Sequence, residues 1–242
     1  MRLDVFLCEN GYATSRTEAK KLILSGAVTV SGKVALKPAL EVSNDAVVTV
    51  DRSLQKYVSR GGIKLEAALV GFKVDPAGRL ALDVGASSGG FTDCLLQNGA
   101  KHVIAVDSGT MQLVSSLRED KRVTSIENFN ARYMKPSDLE YAPSLAVMDV
   151  SFISATYIMK PIYDCLSNEA DFICLIKPQF EVGRANIGKG GIVKSEKARI
   201  DAVNKVINYA LEVGFEYVAY VISPIEGGDG NTEYLAHFKK QS

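Results

Sequence analysis

Residues 81 to 92 read Ala-Leu-Asp-Val-Gly-Ala-Ser-Ser-Gly-Gly-Phe-Thr, an apolar strand that runs through a glycine turn into a helix. That order restricts the fold to α/β architectures in which a nucleotide-type ligand lies against the turn. Glycine at 85, 89 and 90 lets the backbone bend sharply and come close to a ligand, because no Cβ stands in the way. Asp107 closes the next apolar run, Val103 to Val106, about 20 residues on, where such folds place a carboxylate for a ribose. The spacing Gly85-x-x-x-Gly89-Gly90 departs from G-x-G-x-x-G and lacks the glycine that admits a pyrophosphate, so a dinucleotide is not the expected ligand.

From residue 79 onward strands and helices alternate. Apolar runs predict strands at Leu80 to Val84, Val103 to Asp107, Val123 to Ile126, Leu145 to Val150, Phe172 to Lys177, Tyr217 to Ser223 and Tyr234 to Phe238. Helices are predicted at Lys64 to Gly71 and, most clearly, at Ser195 to Val213, where Ala198, Ala202, Val206 and Ile207 share a face and Gly214 follows. The pattern implies a Rossmann-like α/β fold with a mainly parallel seven-stranded sheet, helices on both faces, and a ligand outside the carboxyl ends of the strands. Side chains just after strands are therefore the candidates for chemistry.

The first 50 residues follow a different plan, a small α+β unit. Leu3, Val5, Phe6 and Leu7 open a short helix that Gly11 ends, and Ser15-Arg16-Thr17-Glu18 fits a capping box for a second helix with Ala19, Leu22 and Ile23 as its apolar stripe. Val28 to Val30, a turn at Ser31-Gly32-Lys33, and Ala46 to Val50 predict short strands. Arg16, Lys20 and Lys21 project to one side of the second helix, with Lys33 at a hairpin tip, a set of cations suited to a phosphate backbone. Residues 1 to 58 carry 8 Lys+Arg against 6 Asp+Glu, and the remainder 20 against 22, so the basic character lies at the N-terminal end. The polar stretch 51 to 60 reads as a connection, giving domains at 1–54 and 61–242 joined by a linker at 55–60. The segment from Arg2 to Lys33 resembles the αL RNA-binding module first described in ribosomal small-subunit protein four, which implies recognition of structured RNA through shape and phosphates.

Three strand-associated residues stand out in the second part, Asp149 after the fourth strand, Lys177 after Phe-Ile-Cys-Leu-Ile, and Glu233 just before the last strand, and Lys64 joins them from the first predicted helix. A lysine closing an apolar strand is partly desolvated, which disfavours its charged form and suits proton transfer. Singly, such a lysine also reads as a snorkelling side chain and such an aspartate as a helix cap. Together their identity and order match the Lys-Asp-Lys-Glu set of the FtsJ-like ribose methyltransferases, whose glycine turn also resembles Asp83 to Phe91. With Ser59-Arg-Gly-Gly-Ile-Lys-Leu and Lys177-Pro-Gln-Phe-Glu, the whole chain resembles the hemolysin A or TlyA group. The resemblance implies an S-adenosyl-L-methionine-dependent 2′-O-methyltransferase acting on cytidines of ribosomal RNA or ribosomal subunits, with Lys64, Asp149, Lys177 and Glu233 as its catalytic residues. It implies a cofactor site of Asp83, Gly85, Ala86, Ser87, Gly89, Gly90 and Phe91, with Asp107 at the ribose and Asn128 or Asn130 near the adenine. Ser88 and Phe91 depart from FtsJ itself, which carries proline and tryptophan there.

Other chemistries fit poorly. Cys8, Cys94, Cys165 and Cys174 are widely spaced and form no C-x-x-C pair, and the two histidines, His102 and His237, fall in strands, so no metal site is expected. Gly183 to Lys189 imitates a phosphate-binding loop, yet Gly190 stands where Ser or Thr would hold magnesium. The stretch reads instead as a mobile loop over the site, with Arg184, Lys189 and Lys194, like Arg60 further up the chain, placed to meet RNA. A pseudouridine synthase would need the aspartate directly after Arg79-Leu80, but Asp83 comes later. A membrane-lytic hemolysin would need a long apolar segment or a basic amphipathic helix, and neither these nor a secretion signal is present, so a cytoplasmic location is expected. The remaining non-enzymatic alternative is an RNA-binding or ribosome-assembly factor.

Overall fold

In the computed structural model, which describes residues 1–52 and 56–241, the chain divides into two units, Met1–Ile63 and Lys64–Ser242. The boundary expected at 54 and the start of the linker at 55 lie outside the described residues.

In the first unit, α1 (Leu3–Glu9) and α2 (Arg16–Leu24) accompany a three-stranded antiparallel sheet of β1 (Val28–Val30), β2 (Lys33–Val34) and β3 (Val48–Val50), in the order β2-β1-β3. The apolar positions of both helices, Leu3, Phe6, Leu7, Ala19, Leu22 and Ile23, bury against Val28 and Val48 in one core. Ser15 caps α2 by accepting from the Glu18 amide at 3.1 Å. The reciprocal half of the box differs from expectation. Glu18 reaches back past Ser15 and accepts from the Thr14 amide at 2.7 Å and the Thr14 hydroxyl at 2.6 Å, because a threonine offers the carboxylate two donors where Ser15 offers only its amide. Asp4 is fully buried between Arg2 and Arg16, which hold its carboxyl far below the usual range.

The second unit is entered by α3 (Gly61–Phe72), which begins in the last residues of the first. It is built on β4 (Leu80–Val84), β5 (His102–Val106), β6 (Val123–Ile126), β7 (Leu145–Met148), β8 (Ala170–Ile176), β9 (Glu216–Ile222) and β10 (Tyr234–Lys240). The strands lie in the order β6-β5-β4-β7-β8-β10-β9. The first five are parallel, and β10 runs antiparallel to both β8 and β9. Helices α4 (Gly90–Gln97), α5 (Ser115–Arg118), α6 (Thr156–Cys165), α7 (Pro178–Glu181) and α8 (Glu196–Val213) fill the connections. Strands β4, β5, β7 and β8 are buried along most of their length, as apolar runs covered on both faces must be, whereas the edge strand β6 is half-buried throughout. Strand order reverses at β4, so the loops after β4 and β7 diverge around a crevice, the place where open α/β sheets bind ligands. Strand β7 stops two residues short of the expected Val150. The Asp149 amide makes a last bond to Val84 O at 2.9 Å, and the chain then leaves the sheet toward Phe152, whose φ is +65°. Among the described residues, no helix is long and apolar enough to cross a membrane.

Candidate active site

The turn after β4 meets the loop after β7 at a glycine. Gly85 has φ +85°, and a Cβ there would lie 2.9 Å from the Asp149 carbonyl carbon, so only glycine lets the two backbones approach this closely. Gly89 caps α4 without a side chain, and a Cβ on it would press to 2.7 Å from Leu113 Cδ1. Ala86 and Phe91 are buried, as is Gly90, the first residue of α4, whereas Ser87 is exposed.

Asp107, directly after β5, is fixed by two backbone amides. It accepts from Ser87 N and Gly109 N, each at 2.7 Å, and each oxygen keeps a second lone pair for another donor. Asp83 is fully buried in β4, where one oxygen accepts from Thr92 Oγ1 at 2.6 Å and Oδ1 has no hydrogen-bond partner among the described residues. Burial pushes this carboxyl up to about 7; the charges of Asp149 and Asp107 add to the rise and the Thr92 hydrogen bond opposes it. An unpaired buried acceptor, a glycine cradle that a Cβ would fill and an oriented carboxylate on the neighbouring strand together fit a cationic nucleoside such as S-adenosylmethionine.

The residues expected near the adenine occupy a different arrangement from a simple acid after β6. Glu127, which no sequence motif singles out, accepts from the amides of Met111 at 2.7 Å, Gln112 at 2.9 Å and Leu113 at 3.1 Å. Hydrogen bonds from Leu113 and Met111 first, then Gln112, hold it below the usual carboxylate range. It thereby shapes the loop that follows Asp107. Asn128 is exposed with φ +55°, and its amide donates to Gly109 O at 2.8 Å. Asn130 turns its side chain onto its own backbone, accepting from the Arg132 amide at 3.1 Å.

Lys64, Asp149, Lys177 and Glu233 form two lysine–carboxylate pairs. Lys64, on α3, pairs with Glu233, which immediately precedes β10, and their side chains are only 6% and 3% exposed. Lys177, directly after β8, lies 2.6 Å from Asp149 Oδ1 with 12% and 23% exposure, and its ammonium also donates to Ser151 Oγ at 2.8 Å. The first pair is sealed and the second is open to a ligand. Among the described residues no cluster of His, Cys, Asp or Glu is suited to hold a metal ion.

The glycine-rich stretch after α7 is anchored rather than unattached. Buried Asn231 accepts from Val193 N at 2.9 Å and donates to Gly191 O at 3.0 Å, joining that loop to the segment that carries Glu233. Arg184 and Lys189 are exposed on it. In the first unit Lys20, Lys21 and Lys33 are exposed, Arg16 is held on Asp4 at 2.9 Å, and Arg60 is half-buried beside Gly26.

A seven-stranded sheet whose one reversed strand lies next to the edge, with a glycine turn after its central strand, defines a class I methyltransferase fold. Residues 57–240 match the FtsJ-like methyltransferase family, and residues 1–48 match the S4 domain. Hemolysin A of Brachyspira hyodysenteriae is 46% identical over 239 residues, covering 98% of this chain and 99% of that protein. The 16S/23S rRNA (cytidine-2′-O)-methyltransferase TlyA of Mycobacterium tuberculosis is 42% identical over 242 residues, covering 100% of this chain and 90% of that one. A Streptococcus thermophilus protein solved under a hemolysin name superposes with a TM-score of 0.80 at 41% identity, covering 100% of this chain and 89% of that one. The chain belongs to the FtsJ-like methyltransferase family, within its hemolysin A and TlyA group, and carries an N-terminal S4 domain.

Proposed function

We propose that the chain methylates the 2′-oxygen of a ribose, that of a cytidine, in ribosomal RNA, using S-adenosyl-L-methionine. The observation that carries this reading is the half-open Lys177–Asp149 pair beside the glycine turn, backed by the sealed Lys64–Glu233 pair. The Mycobacterium tuberculosis relative, named for cytidine 2′-O-methylation, supports the substrate. When bound, the cofactor supplies a methyl group on a sulfonium, an electrophile that needs only an aligned nucleophile.

The chain's own residues supply that alignment. Asp83, Gly85, Ala86, Ser87, Gly89, Gly90 and Phe91 form or back the cradle, Asp107 takes the ribose hydroxyls of the cofactor, and Asn128 or Asn130 borders the adenine side. Lys177 holds the RNA 2′-hydroxyl. With Asp149 accepting the ammonium's proton, Lys177 takes the hydroxyl proton as the new oxygen–carbon bond forms and the sulfur–carbon bond breaks. Lys64 and Glu233, held in one geometry by burial, orient the ribose edge. Lys20, Lys21 and Lys33 of the S4 domain, with Arg16 and Arg60, contact phosphates, and Arg184 and Lys189 do so on the catalytic unit.

Incubation with labelled S-adenosylmethionine and separately purified small subunits, large subunits and naked ribosomal RNA, followed by nucleoside analysis, tests the reading. Label is expected in 2′-O-methylcytidine and is expected to disappear with Lys177→Ala and Lys64→Ala. A folded Lys177→Ala protein that transfers methyl at the full rate would remove Lys177 from the mechanism.

A further inference from the structure

Asp149 and Lys177 approach from two short segments, the loop 149–155 after β7 and the turn α7 after β8, and these segments are joined at three levels. At the outer level Lys177 engages Asp149 at 2.6 Å and Ser151 Oγ at 2.8 Å. In the middle the rings of Phe152 and Phe180 lie 5.3 Å apart between centroids. At the base the Glu181 carboxylate, its side chain 2% exposed, accepts from Ser154 Oγ at 2.5 Å and from the Ala155 amide at 2.7 Å. Lys205 of α8 meets the same carboxylate at 3.2 Å and donates to the Glu181 backbone oxygen at 3.0 Å.

The loop needs such a fastening. Phe152 sits at φ +65° and is 91% exposed, and a side-chain-bearing residue stays in that region only when its surroundings over-determine it. Ala155 is the N-cap of α6 and has no side-chain acceptor of its own; Ser154 Oγ accepts from the Thr156 amide at 3.3 Å, and Glu181 supplies from another segment the acceptor for the Ala155 amide. Buried this deeply, a carboxylate keeps its place only while its donors do.

We propose that Glu181 is a positioning residue for the Lys177–Asp149 pair. It touches neither substrate nor cofactor; it fixes the base of the loop and so sets the distance at which Asp149 and Ser151 engage Lys177. This inference rests on the reading of Lys177 as the group that faces the ribose oxygen.

Glu181→Gln keeps the size and one acceptor but turns an NH2 group toward donors. In the full-length variant, hydrogen exchange of peptides spanning 149–158 is expected to accelerate about tenfold or more while the central strands keep wild-type protection. Affinity for S-adenosylhomocysteine is expected to stay within about twofold, and kcat on ribosomal subunits to fall roughly tenfold or more with KM changed less than about threefold. Ser154→Ala, which removes one of the bonds, should shift both readouts in the same direction by less. Unchanged exchange at 149–158, or unchanged kcat in a folded variant, overturns the proposal, as does a loss of kcat matched by faster exchange throughout the sheet. If Glu181→Gln fails to fold, Ser154→Ala decides on the same criteria. A wild-type protein without methyl transfer would refute the proposed activity instead, and the exchange readout would still test the fastening.

Discussion

Replacing Asp83 by asparagine should make the protein more stable at alkaline pH and leave it unchanged at acidic pH. The carboxyl is fully buried and is pushed up to about 7 from the ordinary aspartate value, mainly by burial, with the charges of Asp149 and Asp107 adding to the rise. Below about pH 4 the group is protonated in both folded and unfolded chains and contributes no pH dependence. Between the two values the folded chain keeps a proton that the unfolded chain releases, so stability falls as pH rises, by about 1.4 kcal/mol per unit. Across this window the loss reaches about 4 kcal/mol, and above pH 7 it levels off. The amide introduced by Asp83→Asn can still accept from Thr92 through its oxygen and has no charge to desolvate, so the variant's stability should lack this slope. Urea unfolding of both proteins from pH 4.5 to 8.5 measures the difference directly. The variant is expected to exceed the wild type by only about 1 kcal/mol near pH 4.5 and by several kcal/mol at pH 8. Parallel profiles across the whole range would refute the argument, because they would mean that Asp83 ionises alike in both states. The same logic extends to ligand binding: a cationic cofactor beside Oδ1 favours the ionised form, so S-adenosylmethionine binding near pH 6 should release a proton in the wild type and not in the variant. Calorimetry in buffers of different ionisation enthalpy reads that proton.

Other perturbations probe the remaining parts of the site. Gly85→Ala forces a Cβ into the left-handed region at about 1–2 kcal/mol and pushes it onto the Asp149 backbone; thermal stability should drop modestly and methyl transfer roughly a hundredfold, since a displacement of about 1 Å has that cost. Lys64→Met or Glu233→Gln alone breaks a buried pair and should cost about 3–5 kcal/mol, whereas Lys64→Met with Glu233→Leu should recover much of it; strictly additive losses in denaturant unfolding would contradict this. Lys20→Gln, Lys21→Gln and Lys33→Gln together should weaken ribosomal RNA binding and flatten its salt dependence, each lost phosphate contact lowering the logarithmic slope by roughly 0.7–0.9. The rate at saturating RNA should hardly change.

What the sequence made legible was carried by linear patterns. The strand–turn–helix at Asp83 to Phe91 was legible as a pattern, and Asp149 and Lys177 follow parallel strands that bring them to one edge; Glu233 reaches that edge because β10 is antiparallel to β8, and Lys64 comes from α3. The polar residues that fasten the loops were not legible. Glu127 looks like a solvated acid beside a strand until the amides of Met111, Gln112 and Leu113 are seen to converge on it. Glu181 and Asn231 likewise bind backbone groups of segments distant along the chain, and main-chain donors leave no mark in side-chain identity. Asn130 shows the converse. A side chain with suitable chemistry in a suitable place is occupied by its own backbone, because short amides compete for nearby N–H groups.

Each of the two pairs joins a lysine to a carboxylate, and burial distinguishes them. Any motion that parts Lys64 from Glu233 leaves two desolvated charges without compensation, so that pair holds one geometry throughout a reaction cycle. Lys177 and Asp149 are partly exposed, and Ser151 gives the ammonium a second partner at 2.8 Å, so an incoming hydroxyl can share that lysine without stranding the aspartate. In the proposed reaction a proton would move at the second pair while the first would hold the ribose still. Exchanging the degree of burial between the pairs would leave the same four residues in place and abolish that division, which is why the loop that sets the exposure of Asp149 matters as much as the four side chains.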